Sequence, residues 1–231
     1  MPDDVRIEYE SNSCESTDTV VFLHGWGGDI RSFRGAYSAL TARGVRAYNC
    51  AFPKTVPPDW SVYDYAASVR EFLSANDIAA PVLVGHSFGG RVAIILAAQG
   101  ICKSLVLVDS AGMKPRFDIR KKLRIARYKY RARHGKPLDG MGSIDYNNLD
   151  ASMRGVFVRI VNAHLERLLP YIECPTLIIW GNRDSDTPPY MARRLHRGIK
   201  GSELVFIDGG HYAYVESHYA FVRLLVDRLS E

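Results

Sequence analysis

The stretch Val82-Leu83-Val84-Gly85-His86-Ser87-Phe88-Gly89-Gly90 decides how this chain is read. A short apolar run stops at a glycine, a serine follows two residues later, and a compact, mostly apolar helix is predicted from Arg91 to Gln99. A serine on so sharp a strand-to-helix bend takes up a strained backbone conformation, and small neighbours at 85 and 89 let the chain approach itself there. Its hydroxyl then points outward with a helix N-terminus beneath it. The bare pattern is moderately specific, and the strand before it and the helix after it sharpen it. The other reading is a glycine-rich turn that merely caps a helix.

Outward from this bend the same rhythm repeats. Val20–Leu23 ends at Gly25, Gly27 and Gly28; Leu105–Val108 ends at Asp109; Leu177–Trp180 ends at Gly181; Leu204–Ile207 ends at Asp208. These runs are continuous rather than alternating, as expected of strands buried on both faces of a parallel sheet. Val45–Asn49 is a weaker strand and Arg6–Glu10 an edge candidate. Helical stripes lie between them, one through Val62, Tyr65, Ala66, Val69 and Leu73, and a last one through Phe221, Leu224, Leu225 and Leu229. The alternation predicts an α/β fold, a mostly parallel twisted sheet with helices on both faces.

One segment breaks the rhythm. From Met113 to about Leu169 no strand is predicted; Ile119, Leu123, Ala126 and Tyr130 share one helical face, and Met153, Val156, Phe157, Ile160, Val161 and Leu165 mark a second helix. The expected organisation is a core made of residues 1–112 and 170–231 with a helical cap at 113–169, above the strand ends where α/β sheets bind ligands. Eleven Lys or Arg fall between Lys114 and Lys136 against the single Asp118, a local charge of +10 within a chain whose net charge is +5. The remainder is therefore acidic.

At 231 residues, 47% hydrophobic and 24% charged, the chain suits one globular α/β unit and excludes disordered, collagen-like and disulfide-stapled classes. Its longest apolar runs fall far short of the ~18 residues of a membrane span. Met1-Pro2-Asp3-Asp4 has neither the basic start nor the apolar run of a secretory leader. Cys14, Cys50, Cys102 and Cys174 are scattered without metal-ligand spacing, so reduced, mostly buried thiols in a cytoplasmic protein are expected. No metal or organic cofactor is implied.

A nucleophilic serine needs a base, an acid to orient that base, and donors for the oxyanion. His24-Gly25-Trp26-Gly27-Gly28 follows the first buried strand, and a turn there offers the Trp26 N–H to pair with the Phe88 N–H; the other reading is a glycine turn holding an ordinary half-buried Trp. Among seven histidines, His211 stands on a loop just past the last strand, after Asp208-Gly209-Gly210. His86 adjoins the serine but is expected to point away from it. His134, His164 and His196 are expected in helical, solvent-facing contexts, and His218 in the final helix. Asp184 is favoured as the acid by its spacing to the histidine strand, with Asp109 its rival and Asp186 a weaker neighbour; each also reads as a plain turn aspartate.

Taken together, these residues resemble the α/β-hydrolase superfamily over nearly the whole chain, in the order Ser87…Asp184…His211 that it uses. His24-Gly25-Trp26-Gly27 looks like its oxyanion loop, Gly85–Gly90 its nucleophile elbow, Gly181-Asn182-Arg183-Asp184 with Pro188 its acid loop, and Gly210-His211 with Glu216 and Phe221 its histidine loop. The resemblance implies Ser87 as nucleophile, His211 as base and then acid, Asp184 as its orienter, and Gly25, Trp26 and Phe88 around the oxyanion. Many relatives carry an Asp-x-Pro-Gly-x-Gly-x-Ser loop where this chain reads Asn49-Cys50-Ala51-Phe52-Pro53-Lys54, and the N-terminal strands look abbreviated.

The expected activity is hydrolysis of a small-molecule carboxylic ester through an acyl-enzyme. The same fold also hosts thioester and C–C bond hydrolases, lyases and perhydrolases. A dehalogenase is disfavoured because it requires a carboxylate at position 87. A non-catalytic ligand binder with this fold would show a damaged triad. The basic segment is either a solvated face with Tyr128 and Tyr130 packed inward or a docking patch at Arg120, Lys121, Arg124 and Arg127. Such a patch would take an acidic carrier protein, an anionic ester or a membrane surface. The Trp of the oxyanion loop is similar to that of carrier-protein methyl-ester esterases in the superfamily. Nucleic acid is not expected as a partner.

Overall fold

The computed structural model describes residues 5–117, 119–136 and 144–229. Seven strands form one sheet: β1 (Glu8–Ser11), β2 (Thr19–Leu23), β3 (Arg46–Ala51), β4 (Val82–His86), β5 (Ser104–Val108), β6 (Thr176–Gly181) and β7 (Glu203–Ile207). Their spatial order is β1-β3-β2-β4-β5-β6-β7. Only β1 runs antiparallel, against β3; every other neighbouring pair is parallel.

The continuous apolar runs are explained by two cores, one on each face. Val21, Leu23, Leu83, Leu105, Leu107, Ile178 and Trp180 face α2 (Val62–Ala75), α3 (Phe88–Ala98) and α7 (Pro189–Gly198). The alternate residues Val20, Phe22, Val82, Val84, Val106, Val108, Leu177 and Ile179 face α1 (Arg34–Thr41), α8 (Ala213–Glu216) and α9 (His218–Leu229). Because successive strand side chains point to opposite faces, a strand covered on both sides has no polar positions to reveal its period. At the start of α2, the Tyr63 N–H donates to Ser61 Oγ and the Ser61 N–H to Asp64 Oδ2, a capping box.

Between β5 and β6 the described residues contain no strand. They form α4 (Ile119–Arg133), α5 (Ile144–Asn147), α6 (Ala151–Val161) and a 3-10 turn over Glu166–Tyr171. Helix α6 buries Met153, Val156 and Ile160 against the sheet's first core. Helix α4 does not pack as the inward reading of its tyrosines required: Ile119, Leu123 and Tyr130 are exposed, and Tyr128 is half-buried with its hydroxyl against that of Tyr146. Eight of its fifteen residues are Lys or Arg, which leaves a stripe narrower than the apolar face a packed helix needs. Of the basic residues singled out there, the side chains of Arg120, Lys121 and Arg124 lie outside the described residues, as does Asp118; Arg127 is exposed. His134 and His164 lie just past the ends of α4 and α6 rather than within a helix, whereas His196 is on α7; all three are exposed. Among the described residues no helix is long and apolar enough to cross a membrane.

Candidate active site

The bend after β4 holds Ser87 at φ +48°, ψ −108°, in the left-handed half of backbone space that residues with a Cβ rarely occupy. Its neighbours hold it there. The Ser87 N–H donates to Val108 O, the Ala111 N–H donates to Ser87 O, and the Gly89 N–H donates to His24 O at 3.0 Å. A Cβ at Gly89 would collide with the carbonyl of Leu23, and one at Gly85 would meet Gly89 O at 2.7 Å. The elbow thus lies directly against the loop that follows β2.

The acid and histidine loops are packed backbone to backbone. A Cβ at Gly181 would collide with the carbonyl of Gly210. The Asn182 N–H donates to Ile207 O, the Arg183 N–H to Gly209 O, and the Gly210 N–H to the Glu216 carboxylate at 3.1 Å. This packing sets His211 between the two other predicted residues. Its Nε2 lies 3.0 Å from Ser87 Oγ and its Nδ1 lies 2.9 Å from Asp184 Oδ2. With Nδ1–H donating to the carboxylate, Nε2 is left free to accept the serine proton.

Asp184 is buried, yet both oxygens are satisfied. Oδ1 accepts the N–H groups of Asp186 and Thr187; Oδ2 accepts the Thr187 hydroxyl at 2.6 Å as well as His211. Burial opposes its charge, but the bonds from His211 and Thr187 outweigh burial and hold its pKa below the usual carboxylate value. Burial likewise disfavours a charged ring at His211; the hydrogen bond and negative charge of Asp184 overcome this and raise its pKa above 6.5. The structure therefore joins Ser87, His211 and Asp184, while Asp186 is exposed, donates its N–H to Asp184 Oδ1 and adds a smaller negative charge near His211. The rival acid Asp109 is fully buried, with Oδ1 accepting the Gly181 N–H at 2.7 Å. Burial pushes its pKa up to about 8, and His211 pairs with Asp184 rather than with it.

In the loop after β2, Trp26 lies in the turn closed by the Gly28 N–H on Gly25 O. Phe88 is the first residue of α3, so its N–H has no acceptor within the helix. A Cβ at Gly25 would sit 2.8 Å from His86 Nδ1 and 3.4 Å from Ser87 Cβ, which explains the glycine. The Trp26 ring meets Phe88 at 5.4 Å, Phe157 of α6 at 5.2 Å and Tyr65 at 6.5 Å, all edge-on. In the segment 49–54, Phe52 packs on His24, Tyr65 and Phe88.

The two remaining histidines of the motifs are supports. The Phe52 N–H donates to His24 Nε2, so His24 Nδ1–H donates to Gly25 O at 2.6 Å. His86 Nε2–H donates to His211 O at 2.7 Å and its ring lies 4.9 Å from the His211 ring. Burial lowers the His86 pKa to about 3, keeping it neutral. Three contributors escape sequence reading. Thr187 bridges Asp184 and the backbone of Asp109; Phe52 packs on Phe88 beside the elbow; Arg91 reaches from α3 to the carbonyls of Val161 and Ala163 at the end of α6. A signal exists only for Thr187, a hydroxyl residue three positions after a turn aspartate and just before Pro188.

Residues 20–224 match the model of the alpha/beta hydrolase family. The chain is 28% identical over 235 residues to AB hydrolase superfamily protein YisY of Bacillus subtilis, covering 85% of this chain and 86% of that protein. It is also 28% identical over 246 residues to a pimeloyl-(acyl-carrier protein) methyl ester esterase of Neisseria meningitidis, covering 92% and 93%. Among solved structures, an esterase from Exiguobacterium antarcticum superposes with a TM-score of 0.77 at 20% identity, over 97% of this chain and 96% of that one.

Proposed function

Because the chain belongs to the alpha/beta hydrolase family, we propose that it is a serine hydrolase cleaving a carboxylic ester through an acyl-enzyme on Ser87. The carrying observation is the continuous hydrogen-bonded path Ser87 Oγ–His211–Asp184. Neutral His211 takes the hydroxyl proton as Oγ adds to the ester carbon. The oxygen that gains charge faces the N–H groups of Trp26 and Phe88, and losing one such donor costs ~3 kcal/mol. The protonated ring then gives its proton to the departing alcohol as the C–O bond breaks. Water, deprotonated by the same nitrogen, adds to the acyl carbon, and Ser87 leaves with the proton. Gly25 keeps the Trp26 turn close to the serine, residues 113–169 act as the cap, and Phe157 brings α6 onto the Trp26 side of the site. The four free cysteines suit a reducing cytoplasm, where we place the protein.

A p-nitrophenyl ester series of increasing acyl length, run on wild type and Ser87→Ala, tests the reading. Wild type turns over with a length optimum, and the variant falls by about 10³-fold or more. Equal rates in both contradict it.

A second reading concerns the substrate's carrier. The relative from Neisseria meningitidis is named for an acyl-carrier-protein ester, and residues 114–136 here carry a charge of +10. An acidic carrier or an anionic ester is the partner this segment favours. Charge reversal at Arg120, Lys121, Arg124 and Arg127 then lowers rates on anionic esters selectively; an equal loss on neutral esters counts against it.

A further inference from the structure

Cys102 and Cys174 stand 72 positions apart in the chain, yet their sulfurs are 3.7 Å apart. The neighbouring backbone fixes this approach. Leu105 pairs with Thr176 in the parallel β5–β6 register, the Leu105 N–H donates to Pro175 O at 3.0 Å, and the Ser104 hydroxyl donates to the same carbonyl at 3.1 Å. The Lys103 N–H is tied to Pro81 O. We propose that Cys102 and Cys174 form a peroxide-reactive dithiol site that closes to an intramolecular disulfide.

The two thiols differ in the way such a site requires. Cys102 is buried in the first core, whereas Cys174 is half-buried and packs against that core. Either S–H can donate across the 3.7 Å contact, and the thiolate formed on one sulfur is then stabilised by the S–H of the other. Cys174, the less buried of the two, is the attacking thiolate. Its sulfur attacks one oxygen of a hydroperoxide, the O–O bond breaks, Cys174 becomes a sulfenic acid, and the leaving alkoxide or hydroxide takes a proton from solvent. The Cys102 sulfur then attacks the Cys174 sulfur, the S–O bond breaks, and the hydroxyl departs with the Cys102 proton as water. Two thiols are oxidised by two electrons and one peroxide is reduced.

The site lies at the N-terminal ends of β5 and β6, the opposite end of the sheet from Ser87, so its chemistry is separate from ester hydrolysis. It sits at the root of the excursion between these strands. A bond there closes a loop around the whole excursion and restricts the unfolded chain, raising the melting temperature by roughly 5–10 °C.

The test treats the full chain with graded hydrogen peroxide, counts maleimide-reactive thiols, and maps peptides without reduction. Wild type loses two thiols, yields a Cys102–Cys174 linked peptide lighter by two hydrogens, and regains both thiols with dithiothreitol. In Cys102→Ser, Cys174 accumulates sulfenic and then sulfinic acid with no linked peptide. The proposal is overturned if wild type keeps all its thiols, goes to sulfinic acid at Cys174 without a link, or links either residue to Cys14 or to a second chain. The wild-type map decides the matter even if a serine variant fails to fold.

Discussion

The Thr187 hydroxyl lies 2.6 Å from Asp184 Oδ2, the same oxygen that accepts the His211 ring proton. A carboxylate sharing that oxygen between two donors is held in one rotamer and kept charged, which in turn fixes the ring facing Ser87. Thr187→Val removes the hydroxyl while keeping the shape. A hydrogen bond to a charged group contributes about 1.5 kcal/mol or more, so kcat falls about tenfold while KM stays near its wild-type value. Thr187→Ser restores most of the rate. Steady-state kinetics on a p-nitrophenyl ester check this, and a Val variant at wild-type kcat contradicts it.

The pH profile follows from the raised pKa of His211. Only the neutral ring accepts the Ser87 proton, so kcat/KM is constant above that pKa and falls about tenfold per pH unit below it. The half-point lies above 6.5 because Asp184 stabilises the charged ring. In Asp184→Asn that stabilisation is gone and burial dominates, so the ring titrates lower. Imidazole NMR titration of both proteins reads the shift, and an unchanged or higher value in the variant speaks against the pairing.

His86 is a positioning residue in this account. Its Nε2–H donates to the carbonyl of His211, and its neutral ring supports the His211 ring. His86→Phe keeps the ring and strands a carbonyl, at a cost of about 1–2 kcal/mol and roughly a tenfold drop in kcat. Ester hydrolysis at wild-type rate in a folded His86→Phe protein refutes the role.

Two glycines give opposite outcomes. Gly89→Ala drives a methyl into the carbonyl of Leu23, so the elbow must shift; stability falls by about 2–3 kcal/mol and kcat by about a hundredfold. At Gly155, inside α6, an added Cβ meets nothing within 4 Å, and Ala there raises stability by about 0.5–1 kcal/mol. Urea denaturation with parallel kinetics distinguishes the two.

What was legible in the sequence follows from how local each signal is. Leu105–Val108 and Leu177–Trp180 announce strands because burial on both faces leaves them wholly apolar, and Gly85, Gly89 and Gly181 mark the close approaches that aim Ser87 and Asp184. Asp184 is separable from Asp109 by its spacing to the histidine strand, and it is Asp184 that the structure sets against His211, while Asp109 accepts from the Gly181 N–H. Contacts between distant segments left no local trace: Phe52 on Phe88, Arg91 on α6, and Cys102 on Cys174. Helix α1, eight residues long and containing Gly35, was too short for its apolar stripe to stand out. The Ile119–Tyr130 stripe falls on a helix as its period says, but a period states which residues share a face and not whether anything covers it, so the exposure of Tyr130 is not readable from it.

The most direct measurement is whole-protein mass after titration with a fluorophosphonate, followed by mapping of the adduct. An activated serine predicts one phosphonyl group per folded chain, on Ser87, absent from Ser87→Ala and from heat-unfolded wild type. Folded wild-type protein that takes up no adduct, or carries it elsewhere with Ser87 unmodified, contradicts the account.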